Sequence, residues 1–382
     1  MKRHAEIAGG GIGGLSSAMM LAKQGWTVRV HERSPEIREL GAGIYIKNNA
    51  IEVLEECGVF ERLAPQGVRL ERAQHVDRDG NLMQDRALVG ASRVYVFARQ
   101  VLIDALRDGA RDAGVEIVTS STAVGADPRG ELHLENGQRL KADLVIAADG
   151  VRSRVRDSLG FDAGYRDLPT IINRYLIPSR ELTPDDVTRE HWSGRWRMGI
   201  TPSGKNQTYI YQVHPQRDEQ AGRLPTDVAL WSTAFPHLRR AFEIMAETEV
   251  SQYNYGVVHC THWQKGRVAI IGDAAHGLPP TLGQGAGLTL MNARALNAAL
   301  ARSASVEEAL PLWEQTVRFI SDKTQRWSLR YDFFTRQWPT ALWFLRPPII
   351  WAFRTVPALN RRMRIADQGM RLTPLGLPIS HG

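Results

Sequence analysis

The chain has 382 residues, of which 43% are hydrophobic and 23% charged, and a formal net charge of +7. This composition is typical of a globular protein with one large domain or two interleaved domains. The arginines are spread along the chain without a block of like charges, which argues against nucleic-acid binding and favours anionic small ligands. With two cysteines and no apolar run of membrane-spanning length, we expect no disulfide scaffold and no transmembrane segment. A strand predicted within the first residues leaves no room for a signal peptide, so we expect a cytoplasmic protein.

The N-terminal segment carries a pattern typical of dinucleotide-binding sites. An apolar strand ends at Ala8, a glycine-rich turn and an apolar helix follow, and a second strand, Thr27–His31, leads to Glu32. The turn has the spacing G-x-G-x-x-G, formed by Gly9, Gly11 and Gly14. These glycines permit a tight turn, a close approach to a pyrophosphate and close helix–strand packing, and the helix N-terminus favours phosphate. A carboxylate at Glu32 can accept both ribose hydroxyls. A turn that binds nothing is the alternative, but the ordered context favours a dinucleotide site.

The next part of the chain alternates between helices and short strands. A glycine-hinged loop leads into a short strand with Tyr45, and apolar residues at helical spacing predict one helix over residues 50–63. Short strands are predicted over residues 68–97, with a hairpin at Asp79–Gly80. Arg99 begins a helix that ends at Gly114.

The rest of the chain contains two more buried strands. Asn136–Gly137 predicts a hairpin, and the apolar run 144–148 predicts a strand buried on both faces that ends at Asp149–Gly150. Residues 166–255 are predicted to form a mostly β insert. A further buried strand follows and ends at the run Gly272–His276, after which a glycine-rich turn starts a helix.

Three distant stretches thus indicate one type of ligand, and together they resemble the single-component FAD-dependent aromatic hydroxylases, which have the p-hydroxybenzoate hydroxylase fold. The resemblance covers residues 2 to about 318. The motifs that carry it are Gly9-x-Gly11-x-x-Gly14, Asp149-Gly150-x-x-Ser153-x-x-Arg156, and Gly272-Asp273-Ala274-Ala275-His276 followed by Pro280.

The resemblance implies a set of cofactor-binding residues. Glu32 would hold the adenosine ribose, Arg99 the pyrophosphate side and Asp273 the ribityl chain. Asp149 and its loop would support FAD and the nicotinamide cofactor. The full predicted set is Gly9, Gly11, Gly13, Gly14, Glu32, Arg33, Gly43, Arg99, Val124, Asp149, Asp273, Gly285 and Ala286. We expect FAD as cofactor, NADH or NADPH as electron donor and O2 as co-substrate, without a separate NAD(P)H domain.

Within this family, the sequence is most similar to members that act on carboxylated hydroxypyridines. Shared local features are an acid in the first strand (Glu6) and the runs GAGIYI and ADPRGELHLENG. The resemblance implies that Tyr45, Arg174, Arg197 and Tyr209 contact the substrate, and that Tyr45, Tyr209 and Pro280 take part in catalysis. The guanidinium fork suits a carboxylate, although solvent exposure is the usual fate of arginine and remains the alternative for both.

The sequence therefore predicts an FAD- and NAD(P)H-dependent monooxygenase that hydroxylates a carboxylated hydroxypyridine or a similar hydroxyaromatic acid. The resemblance implies a flavin C4a-hydroperoxide as the oxygenating intermediate. The sequence does not decide whether the substrate ring is also cleaved. One alternative is a flavin hydroxylase of a lipophilic or quinone-like ring at a membrane surface. The other is a nucleotide-binding protein without turnover.

The predicted fold is α/β, with a Rossmann-like FAD-binding domain and an interleaved, mostly β substrate domain. Their predicted ranges are 1–67, 98–165 and 256–325 for the first domain and 68–97 and 166–255 for the second. A helical, aromatic and basic C-terminal segment covers 326–382. Its prolines should interrupt a membrane-surface helix, so we favour a packed lid or a dimer element and include a homodimer among the expected assemblies.

The run His259–Cys260–His262 was weighed as a metal site. On a strand, neighbouring side chains point to opposite faces, so we expect no metal there. His276 is expected to be a structural hydrogen-bonding residue.

Overall fold

Two large sheets organise the molecule. The computed structural model describes residues 2–38, 42–88, 90, 93–337, 342 and 345–368. The strands are β1 (His4–Ala8), β2 (Thr27–His31), β3 (Gly43–Lys47), β4 (Val68–Arg69), β5 (Arg72–Val76), β6 (Leu82–Ala87), β7 (Val94–Ala98), β8 (Glu116–Val118), β9 (Ala123–Asp127), β10 (Glu131–Leu134), β11 (Arg139–Lys141), β12 (Leu144–Ala147), β13 (Ala163–Ile177), β14 (Val187–Ser193), β15 (Trp196–Ser203), β16 (Gln207–Pro215), β17 (Val250–Cys260), β18 (Gln264–Lys265) and β19 (Val268–Ile270). The helices are α1 (Ile12–Lys23), α2 (Asn48–Glu56), α3 (Phe60–Leu63), α4 (Arg99–Asp112), α5 (Arg154–Ser158), α6 (Val228–Ala234), α7 (Arg239–Ala246), α8 (Asp273–His276), α9 (Gly285–Arg302), α10 (Val306–Asp332), α11 (Arg346–Thr355) and α12 (Pro357–Met363).

The first large sheet has the strand order β18-β19-β12-β1-β2-β8. The strands from β19 to β8 are parallel, and only β18 joins antiparallel. Ala8 of β1 pairs with Ala147 of β12 on one side and with His31 of β2 on the other. The carboxyl ends of these strands therefore meet at one edge, where open α/β sheets bind ligands. The predicted α/β fold, with a Rossmann-like parallel sheet and a helical C-terminal segment, is confirmed.

One predicted helix is wrong in its extent. Residues 50–63 do not form a single helix, because α2 ends at Glu56 and α3 begins at Phe60. Gly58 lies between them with a φ of +69°, its amide bonds the Glu55 carbonyl, and the Val59 amide bonds the Leu54 carbonyl. This is a glycine-terminated helix end, which the apolar periodicity of the segment hides.

The second large sheet has the order β17-β13-β16-β15-β14-β5-β6. One face is covered by α6, α7 and the residues between them, where Trp231, Phe235 and Phe242 pack with Tyr175 and Ile210 of the strands. Because side chains alternate along a strand, the strand residues next to Tyr175 and Ile210 point to the opposite face of the sheet, away from α6 and α7. Strands β13 and β17 run through the predicted boundaries at 165/166 and 255/256, and the division into domains stays a prediction.

The C-terminal helices return to both sheets. Gln325 of α10 donates from Nε2 to the carbonyls of Val258, at 2.6 Å, and Gly277, at 2.8 Å. Among the described residues, no helix is long and apolar enough to cross a membrane.

The prolines that the structure describes in this segment stand at helix starts. Pro347 stands in the first turn of α11 and Pro357 begins α12, positions where a missing amide costs nothing. The segment therefore forms two short helices with a break at Val356, and not one sustained helix. Pro339, Trp343 and Phe344, which the sequence interpretation also used, lie outside the described residues.

A buried acid joins the first two strands. Glu6 is almost fully buried, and its carboxylate contacts Nε2 of His31 at 2.8 Å and Nε2 of His4 at 2.9 Å. Burial acts to raise the pKa of Glu6, but the hydrogen bonds with His31 and His4 outweigh it and lower the pKa. The carboxylate therefore stabilises the fold in its ionised form.

We predict that this stabilisation depends on pH. The pKa of Glu6 is lower in the folded state than in the unfolded state, where it is near 4.5. Its contribution to the free energy of unfolding is therefore fully present above pH 4.5 and is lost as the pH falls through the folded-state pKa. Glu6→Gln should lower the free energy of unfolding by about 1.5–3 kcal/mol at neutral pH, and by less in acid. Urea unfolding at several pH values measures this, with Glu116→Gln, an exposed partner of Arg29, as the control. A loss that does not change with pH would contradict the assignment.

Candidate active site

The glycine turn lies where β1 leaves the parallel sheet. The Gly9 amide bonds the His31 carbonyl at 2.8 Å, and Gly9 has a φ of +101°. A Cβ at Gly14 would lie 1.9 Å from the Gly9 carbonyl oxygen, and one at Gly9 would lie 2.4 Å from the Ala148 carbonyl oxygen. Side chains are therefore excluded from both positions, and α1 starts in direct contact with the ends of β1 and β12.

Glu32 fastens this turn to the end of β2. Its Oε2 accepts the Gly10 amide at 2.9 Å, and its Oε1 accepts the Ser34 amide at 2.9 Å. Each carboxylate oxygen retains a further lone pair for a ribose hydroxyl. Arg33, the next residue, is exposed.

Two helix N-termini lack a side-chain cap. Gly11 caps α1 and Gln284 caps α9 without a side-chain hydrogen bond to the first turn. A Cβ at Gly11 or at Gly285 would meet nothing within 4 Å, so both glycines face open space. Ala286, the second residue of α9, is half-buried. Open amides at two such ends can hold anionic groups of a ligand.

The other two motifs are joined by Arg156. Its Nη1 donates to the Val151 carbonyl at 3.0 Å and to the Ala274 carbonyl at 3.1 Å. Asp149 accepts Ser153 Oγ at 2.5 Å and the Val155 amide at 3.3 Å, and burial raises its pKa. Asp149 thus shapes its own loop, and its predicted contact with a cofactor stays a prediction.

The remaining predicted cofactor residues differ in their distance along the fold from the carboxyl edge of the parallel sheet. Asp273 is exposed as the first residue of α8, and Gly13 lies beside Ile271, just before it. Arg99 is half-buried at the start of α4, where its amide bonds the Ala42 carbonyl at 3.0 Å. Val124 lies half-buried in β9 of a separate small sheet.

The predicted substrate residues lie on one face of the seven-stranded sheet, the face opposite α6 and α7. Arg174 pairs with Tyr211, Tyr211 with Gly199, and Gly199 with Glu190, so these residues form a row across four strands. Directly opposed residues share a face, as do residues two apart along a strand. Tyr209, two residues before Tyr211, therefore points the same way. We call this the pocket face.

Tyr45 reaches the pocket face from β3. Its hydroxyl lies 2.5 Å from Thr201 Oγ1 and 3.0 Å from Thr188 Oγ1. Burial raises its pKa, so the phenol stays protonated at neutral pH. The centroids of the Tyr209 and Tyr45 rings lie 6.3 Å apart. A Cβ at Gly43 would lie 2.4 Å from the Tyr209 ring, so position 43 requires glycine.

Arg197 also lies on the pocket face, and its charge has a partner within the protein. Its side chain is 3% exposed, and its Nη1 lies 3.6 Å from Glu190 Oε1. Glu190 accepts the Tyr211 hydroxyl at 2.6 Å and the Trp192 indole N–H at 2.5 Å. Burial acts to lower the pKa of Arg197, but Glu190 outweighs it and raises the pKa, so the pair is ionised.

Two donors of Arg197 remain for a ligand. Among the described residues, neither its Nε nor its Nη1 has a hydrogen-bond partner. Arg174, on the same face, stacks on the Tyr253 ring with 4.9 Å between the guanidinium carbon and the ring centroid. The sequence interpretation missed Glu190, Tyr211 and Tyr253, because strand register alone brings them beside the arginines.

The Pro280 turn connects the two halves of the site. Pro280–Leu282 form a short 3₁₀ helix just before α9, and Lys47 Nζ donates to the Leu282 carbonyl at 2.7 Å. His276 is buried, Asn292 bonds its Nε2 at 2.8 Å, and burial lowers its pKa to about 4. This fits its expected structural role.

The Cys260 thiol donates to the His262 carbonyl at 2.9 Å, and burial raises its pKa.

Comparison with protein families decides the assignment of this site. The model of the family described as "FAD binding domain" matches residues 3–310. The chain belongs to this family of FAD-dependent aromatic hydroxylases. It is an FAD-dependent monooxygenase, and FAD is its cofactor.

Relatives of this hydroxylase are named after different ring compounds. A 2-heptyl-3-hydroxy-4(1H)-quinolone synthase of Mycobacteroides abscessus is 37% identical, over 86% of this chain and 89% of the relative. A 3-amino-4-hydroxybenzoate 2-monooxygenase of Streptomyces cremeus is 31% identical over 81% of each chain. A solved structure, the tetrameric form of 2-methyl-3-hydroxypyridine-5-carboxylic acid oxygenase, is 32% identical with a TM-score of 0.85 and covers 96% of both chains.

The geometry of the hydroxylase fits FAD. The glycine turn and Glu32 can take the pyrophosphate and ribose, and the open N-terminus of α9 lies at the end of the Pro280 turn, beside the pocket face. The individual cofactor contacts stay predictions.

Two glycine variants of the hydroxylase test this placement. Gly14→Ala should destabilise the fold, because its Cβ would strike the Gly9 carbonyl, which cannot move without disturbing β1. Gly11→Ala has room for its Cβ and should fold normally. Because the new methyl group would enter the space beside the α1 N-terminus, Gly11→Ala should weaken FAD binding by about tenfold or more. Thermal unfolding and FAD titration of the apoprotein separate the two effects. Normal FAD affinity in Gly11→Ala would place the pyrophosphate elsewhere.

Proposed function

We propose that this enzyme uses NAD(P)H and O2 to hydroxylate a neutral, lipophilic heteroaromatic ring of the 4-quinolone type, next to its ring carbonyl. The observation that carries the proposal is the ion pair between Arg197 and Glu190 on the pocket face. The identity with quinolone synthases supports it. This substrate class corresponds to the lipophilic alternative from the sequence.

The ion pair makes a carboxylate an unfavourable partner for Arg197. Glu190 already compensates the guanidinium charge, and a second carboxylate would bring uncompensated negative charge into a buried site. A neutral ring carbonyl can still accept from the remaining Arg197 donors. Polar recognition of a neutral acceptor is therefore the better fit.

The tyrosines can orient such a ring without removing a proton from it. Burial raises the pKa of Tyr45 and raises that of Tyr211 well above the ordinary value, so both phenols are neutral at physiological pH. Neutral phenols are poor bases, and the Tyr211 hydroxyl already donates to Glu190, so these tyrosines position the substrate ring through their own rings. Negative charge that develops on the ring oxygen during oxygen transfer would be stabilised by Arg197 and Arg174. FAD, when bound, supplies the oxygen-transfer chemistry, and the chain positions the ring and limits access of water.

A carboxylated hydroxypyridine remains the second candidate. Arg174 lies on the pocket face, where a guanidinium group suits a carboxylate. The likeness to the pyridinecarboxylate oxygenase also supports this candidate.

A substrate comparison distinguishes the two candidates. The purified enzyme with FAD should oxidise NAD(P)H faster with 2-heptyl-4(1H)-quinolone and form a product heavier by one oxygen atom. With 2-methyl-3-hydroxypyridine-5-carboxylate, we expect little stimulation. Mass spectrometry and the ratio of product to NAD(P)H consumed are the measurements. Coupled turnover of the pyridine acid alone would refute the quinolone proposal.

A charge variant tests the role of the ion pair. Glu190→Gln removes the compensating charge and should raise the affinity for the carboxylated ring by about tenfold, because Arg197 then gains a free charge. Tyr211→Phe is the control, since it removes one hydrogen bond to Glu190 but keeps the ion pair. Substrate Kd values follow from the change in flavin absorbance. If Glu190→Gln leaves the preference between the two rings unchanged, Arg197 does not face the substrate.

A further inference from the structure

The C-terminal helices α11 and α12 each have an inner and an outer side. On α11, Phe353 points inward, where its ring lies 5.8 Å from Trp327 and 5.2 Å from Phe334. Trp351, two residues earlier, is 64% exposed. Exposed Pro348 and Thr355 stand three residues before and four after Trp351, so they form one outward stripe with it.

Helix α12 continues this surface with positive charge. Arg361 and Arg362 are exposed, whereas Leu359 and Met363 are partly buried. Val356, between the two helices, and Leu345, just before α11, are exposed apolar residues. We call Leu345, Trp351, Val356, Arg361 and Arg362 the tail patch.

The segment that carries the tail patch accounts for the charge of the whole protein. Between residues 323 and 368 there are nine lysines or arginines and two aspartates, an excess of seven that equals the net charge of +7. Asp332 is buried, and Asp367 is bonded to Arg364 at 2.7 Å. Although arginines occur throughout the chain, they are balanced elsewhere.

We propose that the tail patch binds an anionic phospholipid surface. Exposed apolar residues that include a tryptophan, together with exposed arginines on the next helix, are the combination that holds a segment in the interface of an anionic bilayer. Tryptophan favours the headgroup level, and each arginine near the surface adds electrostatic attraction.

The charge of the segment disfavours a second copy of this chain as the occupant. In a twofold dimer the same patch lies on both sides of the interface. Arg361 and Arg362 of one copy would then face the same two arginines of the other copy. An anionic lipid surface supplies the opposite charge, and this argument is independent of the ring that the enzyme hydroxylates.

The anchorage of the tail places the site close to this surface. The Asp367 carboxylate accepts from the Gln284 amide at the start of α9 and lies 3.8 Å from Lys47 Nζ. Lys47 ends the strand that carries Tyr45. Binding through the tail patch would therefore bring the site near the bilayer, where a lipophilic ring concentrates.

Vesicle sedimentation of the FAD-loaded full chain tests the proposal. The protein should sediment with vesicles of equal parts phosphatidylcholine and phosphatidylglycerol, remain in solution with pure phosphatidylcholine, and dissociate at high salt. Trp351→Ser and the double variant Arg361→Glu/Arg362→Glu should each weaken partitioning by about tenfold or more. Trp351→Phe and Arg361→Lys/Arg362→Lys should retain most of it.

Matched control variants distinguish binding through the tail patch from non-specific binding to vesicles. Phe319→Ser removes another aromatic side chain, 53% exposed, and Arg139→Glu/Lys141→Glu reverses two exposed charges on β11. Both should bind as the unchanged chain does, and all variants should retain FAD. Absence of binding to either vesicle would overturn the proposal, as would equal binding by the patch variants. A dimer that Trp351→Ser dissociates, without lipid binding, would overturn it in favour of an interface between copies.

Discussion

The contact between Gly14 and Gly9 is the constraint on which the cofactor half of the molecule depends. It lets α1 begin against the end of β1, and the Gly9 amide then reaches the His31 carbonyl of β2. Parallel pairing carries this alignment to β12 and β19, so that Glu32, Asp149 and Asp273 follow strands that end at one edge. No side chain could be added at Gly9 or Gly14 without separating these elements. The site is therefore a consequence of backbone packing, and the acidic residues are placed by it.

The pocket half depends on a different kind of order, the register of long antiparallel strands. The row from Arg174 to Glu190 crosses four strands whose members lie far apart in sequence. This register joins Arg197 to an acid and shields Glu190 with Tyr211 and Trp192. A buried arginine with a compensated charge presents directional donors without a strong net field, which suits a dipolar ring more than an acid.

These two kinds of order explain what could be predicted from the sequence. The glycine turn, the buried strands and the hairpins are local patterns, and the structure places β2 at the predicted residues 27–31. Tyr45, Tyr209, Arg174 and Arg197 were named through a family resemblance, and they share one face. Glu190 could not be found this way, because its role exists only once β14 pairs with β15. The break at Gly58 was missed because apolar residues on both sides continue the helical period across it.

In the tail, the prolines lie at the boundaries of the helices. Pro347 stands in the first turn of α11 and Pro357 begins α12, so the segment is divided into two short helices, each with its own outward side. The inner side of the tail is fixed by Phe353 and by Asp367. Burial acts to raise the pKa of Asp367, but the charge of Lys47 opposes this effect, and the pKa is lowered. Lys47 in turn bonds the turn that contains Pro280. A displacement of the tail would therefore act on Lys47 and on the strand of Tyr45, which makes the tail patch and the pocket parts of one connected structure.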